Sequence, residues 1–186
     1  MFLNSIFKNT KFQSKNMLEL AVKNNSKILL ASSSEIYGNP LVSPQEENYL
    51  GNVNSFGPRS CYSEGKRISE TLFFAYKRIF DLDVRIARIF NCYGPGFTNN
   101  DTRVIPSFIR GIMLNSKIII NGNGCQRRSF CYVSDIINGL ISLMESDFQY
   151  PMNIGNNKEI TINDLANKII SKFNKSVEVE ESNLYL

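Results

Sequence analysis

Residues 60–67 read SCYSEGKR, and within them Tyr62 and Lys66 stand four positions apart. On a helix, positions i and i+4 share a face, which would set a lysine ammonium beside a phenol. Positive charge there favours the phenolate, and such a tyrosine can act as a base near neutral pH. The same spacing also arises by chance in a chain with 8 Tyr and 21 Lys and Arg, where it marks only one face of an amphipathic helix. What decides between the two lies elsewhere in the chain.

The chain contains no histidine. That excludes Ser-His-Asp and Cys-His nucleophilic machinery and any His-ligated metal, leaving acid–base chemistry to Tyr, Lys, Glu, Asp or Cys. Cys61, Cys92, Cys125 and Cys131 form no C-x-x-C pair. They are expected to be cytosolic thiols buried as small hydrophobes, with no metal and no disulfide. The net charge of +4 is scattered, and runs such as QRR (126–128) are too short to make a nucleic-acid stripe. At most it favours a phosphate-bearing ligand. The opening MFLNSIFKNTKF lacks the apolar length and cleavage site of a signal peptide. No stretch approaches the ~20 apolar residues of a membrane helix. The expectation is a cytoplasmic chain with neither nucleic acid nor membrane as partner.

The elements that would position Tyr62 and Lys66 follow from apolar periodicity. A hydrophobic fraction of 42% and a charged fraction of 20% over 186 residues allow one domain with a real core, or one domain and an appendage. Residues 1–24 read as a helix, KILLAS (27–32) as a short buried strand, and 38–59 as a polar loop. A helix from Ser60 to Phe80 and a second apolar strand, DVRIARI (83–89), complete the rhythm of an α/β sheet. Beyond Asn91, NCYGPG reads as a turn, 104–115 as a helix, KIII (117–120) as a strand and NGNG as another turn. Ser134 is placed to cap the helix DIINGLISLME and Thr161 the helix that follows it, with MNIG (152–155) a strand between them. VEVEE (177–181) alternates like an edge strand. None of the 11 glycines makes G-x-x-G-x-x-G or G-x-G-x-x-G, the turn on which a dinucleotide-binding sheet opens. The expected fold is α/β, the C-terminal part of a Rossmann-like doubly wound parallel sheet plus a small α/β substrate-binding region. Residues 1–91 would form the former and 92–186 mainly the latter, with helix 134–146 returning to the first.

LLASSSEIYG (29–38) ends a strand in small hydroxyl residues, then a carboxylate, then Tyr-Gly. Carboxyl ends of strands are where α/β sheets hold their ligands. Together with CYSEGKR (61–67), ARIFNCYGPG (87–96) and RRSFCYVSDIINGL (127–140), this stretch resembles the extended short-chain dehydrogenase/reductase family of sugar-nucleotide enzymes. The register is continuous from Asn9 to Phe173, and GPRSCYSEGKRISET (57–71) is most similar to the UDP-glucuronate decarboxylase subgroup.

The resemblance implies NAD-dependent conversion of UDP-glucuronate to UDP-xylose through a 4-keto sugar. Tyr62 would take the proton from sugar O4 while hydride passes to NAD; Lys66 would hold the nicotinamide ribose and ease ionisation of the tyrosine. Ser33 would bond to the O4 region, with Ser34 and Glu35 facing the sugar ring and Asn91 meeting the phosphate side. Arg103 and Arg128 would bind the diphosphate and sugar carboxylate, a task suited to guanidinium. On residue type alone, Asn91 equally fits a turn, Ser33 and Ser34 the cap or end of a strand, and Arg128 a pairing with a surface carboxylate. The related 4,6-dehydratases carry Thr-Asp-Glu where Ser33, Ser34 and Glu35 stand, and the 4-epimerases lack the glutamate. Serine is a poor proton donor for a leaving hydroxyl, whereas decarboxylation of a 4-keto uronic acid needs none. Gly96 stands where the decarboxylases carry arginine. The resemblance further implies a homodimer through helices 1–24 and 60–80, and a companion N-terminal half bearing the glycine-rich loop. The alternatives are an inactive remnant that keeps a UDP-sugar or dimer surface, and a dehydratase or epimerase.

Overall fold

The structure, a computed structural model, describes residues 2–173 and 176–182. The chain divides into two compact units, residues 1–90 with 134–155 and residues 91–133 with 156–186.

In the first unit, helix α1 (Phe2–Lys23), strand β1 (Ile28–Ser33), helix α2 (Ser60–Phe80) and strand β2 (Val84–Ile89) follow one another. Helix α4 (Val133–Glu145) and strand β7 (Pro151–Ile154) return to them later. The three strands form a parallel sheet in the order β1-β2-β7, with Ile28 opposite Val84 and Ile86 opposite Pro151. This is the α/β architecture expected. Leu18 and Ala21 of α1 meet Phe73 of α2 over Val84 and Ile86 of β2, a core reached because the apolar positions recur at helical spacing. Where α1 and α2 approach, Ser14 donates a hydrogen bond to Ser69 at 3.1 Å.

Strand β2 reads as apolar, yet it buries two arginines. Arg85 is 1% exposed. It survives there because it donates to the carbonyls of Leu143 (3.2 Å) and Ser146 (2.9 Å), closing the end of α4 where carbonyls lack partners. Arg88 points to the opposite face, as strand alternation requires, and is taken up below.

The second unit holds three two-stranded pairings. Strand β3 (Cys92–Tyr93) runs parallel to β6 (Cys131–Tyr132), β4 (Ile118–Asn121) parallel to β9 (Val179–Ser182), and β5 (Arg127–Ser129) antiparallel to β8 (Glu159–Thr161). Helices α3 (Val104–Met113) and α5 (Ile162–Phe173) pack over them, burying Ile105, Phe108, Ile112, Ile118, Ile120 and Leu165.

Three expectations are corrected. NCYGPG is not wholly a turn, since Cys92 and Tyr93 pair with Cys131 and Tyr132, a contact between segments 39 positions apart that local turn residues cannot reveal. Ser134 is not the cap of α4, which already begins at Val133; its hydroxyl lies 3.4 Å from the Asp135 carboxylate. The thiols are not uniformly buried: Cys131 is, but Cys125 is exposed, held beyond the Gly122–Gly124 turn where its N–H meets Asn123 Oδ1. Thr161 does cap α5, accepting from the Asp164 N–H at 3.0 Å. No described helix is long and apolar enough to cross a membrane.

Candidate functional site

Strand β1 ends at Ser33, and the chain turns at once through a 3-10 turn, Ser34–Tyr37. Ser33 makes that turn: its hydroxyl accepts the Glu35 N–H at 3.2 Å, as a cap should. Gly38 closes it at φ 65, and a Cβ there would lie 2.2 Å from the carbonyl oxygen of Asn52, so no other residue fits. The capping role weighed for Ser33 is therefore real, and its hydroxyl proton still remains available to donate.

Helix α2 grips the end of β1 with side chains from consecutive turns. The Lys66 ammonium donates to the carbonyl of Ala31 at 2.8 Å, and Arg67 donates to Ile36 (3.0 Å) and Leu50 (2.9 Å). One turn further on, Glu70 accepts from the Ser32 hydroxyl at 2.6 Å. Tyr62 is one turn before Lys66, whose Nζ lies 5.9 Å from the centre of the phenol ring. Burial pushes the pKa of Lys66 down, because the ammonium has lost water on the side facing β1.

A second arginine enters here that sequence reasoning passed over. Arg59, immediately before α2, grips Glu35 with both arms of its fork: Nε to Oε2 at 3.2 Å and Nη2 to Oε1 at 3.0 Å. Its guanidinium carbon also lies 5.9 Å from the centre of the Tyr62 ring. The only signal was position, an arginine in GPRSCYSEGKR just ahead of the helix.

Behind this surface runs a buried polar network, also missed. Arg88 forms an ion pair with Glu70 at 2.9 Å and donates to the Tyr37 hydroxyl at 2.9 Å and to the Glu47 carbonyl at 2.8 Å. Tyr37 in turn donates to Asn153 Oδ1 at 2.8 Å. Burial, opposed by the Arg88 hydrogen bond, pushes the Tyr37 phenol upward. Burial opposes the Arg88 charge as well, but Glu70 outweighs it and raises the guanidinium.

In the second unit, Asn91 and Arg128 line one cavity of about 410 Å³ together with Thr102, Phe108 and Gln126. Asn91 is positioned by donating its amide to the Ser129 carbonyl at 2.9 Å. Arg128, exposed, donates one arm to the Arg127 carbonyl at 2.8 Å. Arg103 does not line this cavity, although its neighbours Thr102 and Val104 do. It is turned onto Asp101, with Nη2 to Oδ2 at 2.5 Å and its guanidinium 4.6 Å from the centre of the Phe97 ring. Hydrogen bonds from Arg103 hold the Asp101 carboxyl down at about 2.

The first unit thus gathers Ser33, Ser34, Glu35, Tyr62 and Lys66 at the carboxyl end of a parallel strand. Chemically it offers a phenol, an ammonium, hydroxyls and a carboxylate already matched by a guanidinium. The Lys66 ammonium retains two N–H donors beyond the one given to Ala31, open to a hydrogen-bond acceptor. Among the described residues no group of three or more His, Cys, Asp or Glu could hold a metal ion.

A parallel sheet with such a cluster at its strand end defines a class, and comparison with known proteins agrees: residues 5–155 match the NAD dependent epimerase/dehydratase family, to which the chain belongs. More particularly, it is 49% identical over 165 residues to UDP-glucuronic acid decarboxylase 5 of Arabidopsis thaliana, covering 89% of this chain and 48% of that protein. It is 48% identical over 156 residues to UDP-glucuronic acid decarboxylase 1 of Danio rerio, covering 84% of this chain and 37% of that protein. The fold also superposes on UDP-N-acetylglucosamine 4-epimerase from Methanobrevibacter ruminantium M1, solved with UDP-N-acetylmuramic acid. There the TM-score is 0.85 at 30% identity, over 92% of this chain and 55% of that one. The chain spans less than half the length of these two curated relatives.

Proposed function

We propose that this chain carries the sugar-reacting part of an NAD-dependent UDP-glucuronate decarboxylase, which forms UDP-xylose through a 4-keto sugar. The observation that carries it is the folding of Ser33, Ser34 and Glu35 into one turn at the end of β1, with Lys66 tied to Ala31 beside them. The relatives named above support the choice of substrate.

Tyr62 accepts the O4 proton as C4 becomes a ketone, and returns it when the alcohol is restored. NAD, when bound, supplies reversible hydride acceptance at C4. Lys66 offers its free N–H donors to the ribose and its charge to the phenol. Once C4 is a ketone, the C6 carboxylate is β to it. The C5–C6 bond then breaks, carbon dioxide leaves, and the electron pair rests on the C4 oxygen as an enolate. Ser33, whose hydroxyl proton is free, can hydrogen-bond that oxygen. C5 takes up a proton before the ketone is reduced. Nothing here needs an acid at position 34, and serine supplies none. Ser34 and Glu35 contact the sugar ring. Asn91, Arg103 and Arg128 bind the phosphate and carboxylate groups, Arg103 after leaving Asp101.

Strand β1 has β2 as its one partner among the described residues, so a companion dinucleotide-binding half has an edge on which to add a parallel strand. A homodimer through α1 and α2 is supported by Met17, Leu20 and Phe74, each half exposed or more.

The test is product analysis. The chain would be co-expressed with the half of the Arabidopsis relative that it does not span, then given UDP-glucuronate or dTDP-glucose. UDP-xylose and carbon dioxide are expected from the first and no reaction from the second. A 4-keto-6-deoxy product would make the protein a dehydratase; binding of UDP-sugar without turnover would make it a remnant.

A further inference from the structure

The geometry points to Arg59 as a specificity-determining residue: by neutralising Glu35 it lets a sugar that itself carries a carboxylate settle at the end of β1. This rests on the proposal that the ligand is a UDP-uronate and that Glu35 faces its ring.

Three observations converge. Glu35 lies in the turn that directly follows β1, and its side chain stays 38% exposed, so it is open to a ligand at that strand end. Arg59 engages both of its oxygens, at 3.2 and 3.0 Å, rather than one. The same guanidinium lies 5.9 Å from the centre of the Tyr62 ring, so Glu35 and the phenol are brought together through it. A planar fork is the group that can cancel a carboxylate over both oxygens and still stack beside an aromatic face.

A bare Glu35 would repel a uronate carboxylate and would be indifferent to a neutral hexose. Paired with Arg59, it keeps its acceptor lone pairs for sugar hydroxyls while its charge is offset. Arg59 thereby acts through Glu35, as a positioning and charge-matching group.

Arg59 is 69% exposed and caps α2 with no side-chain hydrogen bond, so its replacement leaves the core intact. The experiment is calorimetric titration of the chain and its variants with UDP-glucuronate and with UDP-glucose. Arg59→Met should weaken UDP-glucuronate about tenfold while UDP-glucose moves less than about twofold, a difference expected of one unscreened like charge nearby. Arg59→Lys should recover part of the preference. In a Glu35→Gln background, Arg59→Met should cost UDP-glucuronate little, since no carboxylate remains to be neutralised.

Equal weakening of both ligands would overturn the inference, because a purely structural role does not distinguish them. A tenfold loss that persists in the Glu35→Gln background would overturn it too, assigning Arg59 to the uronate directly. If the unaltered chain binds neither UDP-sugar, the uronate proposal falls and this role with it. The Arg59 Nε–H resonance, shifting on Glu35→Gln, would then leave the pair as a structural clamp. If both ligands bind and Arg59→Met changes neither, only the specificity role is lost.

Discussion

The Lys66 ammonium donates a 2.8 Å hydrogen bond to the backbone carbonyl of Ala31, two residues before the end of strand β1. This bond fixes how α2 lies along the strand, and so where Tyr62 stands one turn earlier.

Its energetic signature is a pH dependence. Burial lowers the pKa of Lys66, so the folded chain releases that proton before the unfolded chain does. Between the depressed value and the ordinary lysine value the unfolded state binds more protons, and stability rises with pH across that window. Below it the cost of burying the ammonium is fully present. Lys66 should therefore titrate below the other lysines when its ε-carbon resonance is followed by NMR. The urea midpoint of the wild type should gain on that of Lys66→Met as pH climbs through the same window. A Lys66 that titrates with the exposed lysines would remove the basis for this.

The Glu70–Arg88 pair should behave as a buried ion pair, since its side chains are 12% and 10% exposed. Glu70→Leu leaves the Arg88 charge without its partner and should cost about 3–5 kcal/mol. Replacing both, as Glu70→Leu with Arg88→Met, should cost less than the sum of the singles. Urea denaturation of the four proteins reads this coupling, and strict additivity would show that the two charges do not depend on each other.

Arg103 is engaged by Asp101, so any phosphate it binds must compete with a carboxylate. Asp101→Asn should tighten UDP binding severalfold at low salt, with the gain shrinking as salt rises. Weaker binding in the variant would mean that Asp101 holds Arg103 in its binding posture instead.

Much of this architecture was legible because it is periodic. Helices α1 and α2 and strands β1 and β2 announce themselves in apolar spacing, and the SSSEIYG turn in its residue types. What was hidden depends on partners distant in sequence. Arg88 looks misplaced in an apolar strand until Glu70 and Tyr37 are seen around it. Arg59 gains meaning only when Glu35, 24 positions away, folds back to it. The family resemblance gives Arg103 to the diphosphate and sugar carboxylate, and says nothing of its local partner Asp101, two residues away. Cys92 and Tyr93 looked like a turn because the strand they pair with is just two residues long.

The most direct test of the proposed chemistry is the turnover of Tyr62→Phe with UDP-glucuronate, measured as carbon dioxide release in the chain co-expressed with the half of the Arabidopsis relative that it does not span. The phenylalanine keeps the ring 5.9 Å from both the Arg59 and Lys66 cations and removes only the hydroxyl proposed to accept the O4 proton. Turnover should fall by the ~10²–10⁴ of a lost general base, with UDP-glucuronate affinity little changed. Near-normal turnover accompanied by a lower melting temperature would contradict it, and Tyr62 and Lys66 would then be one face of a helix.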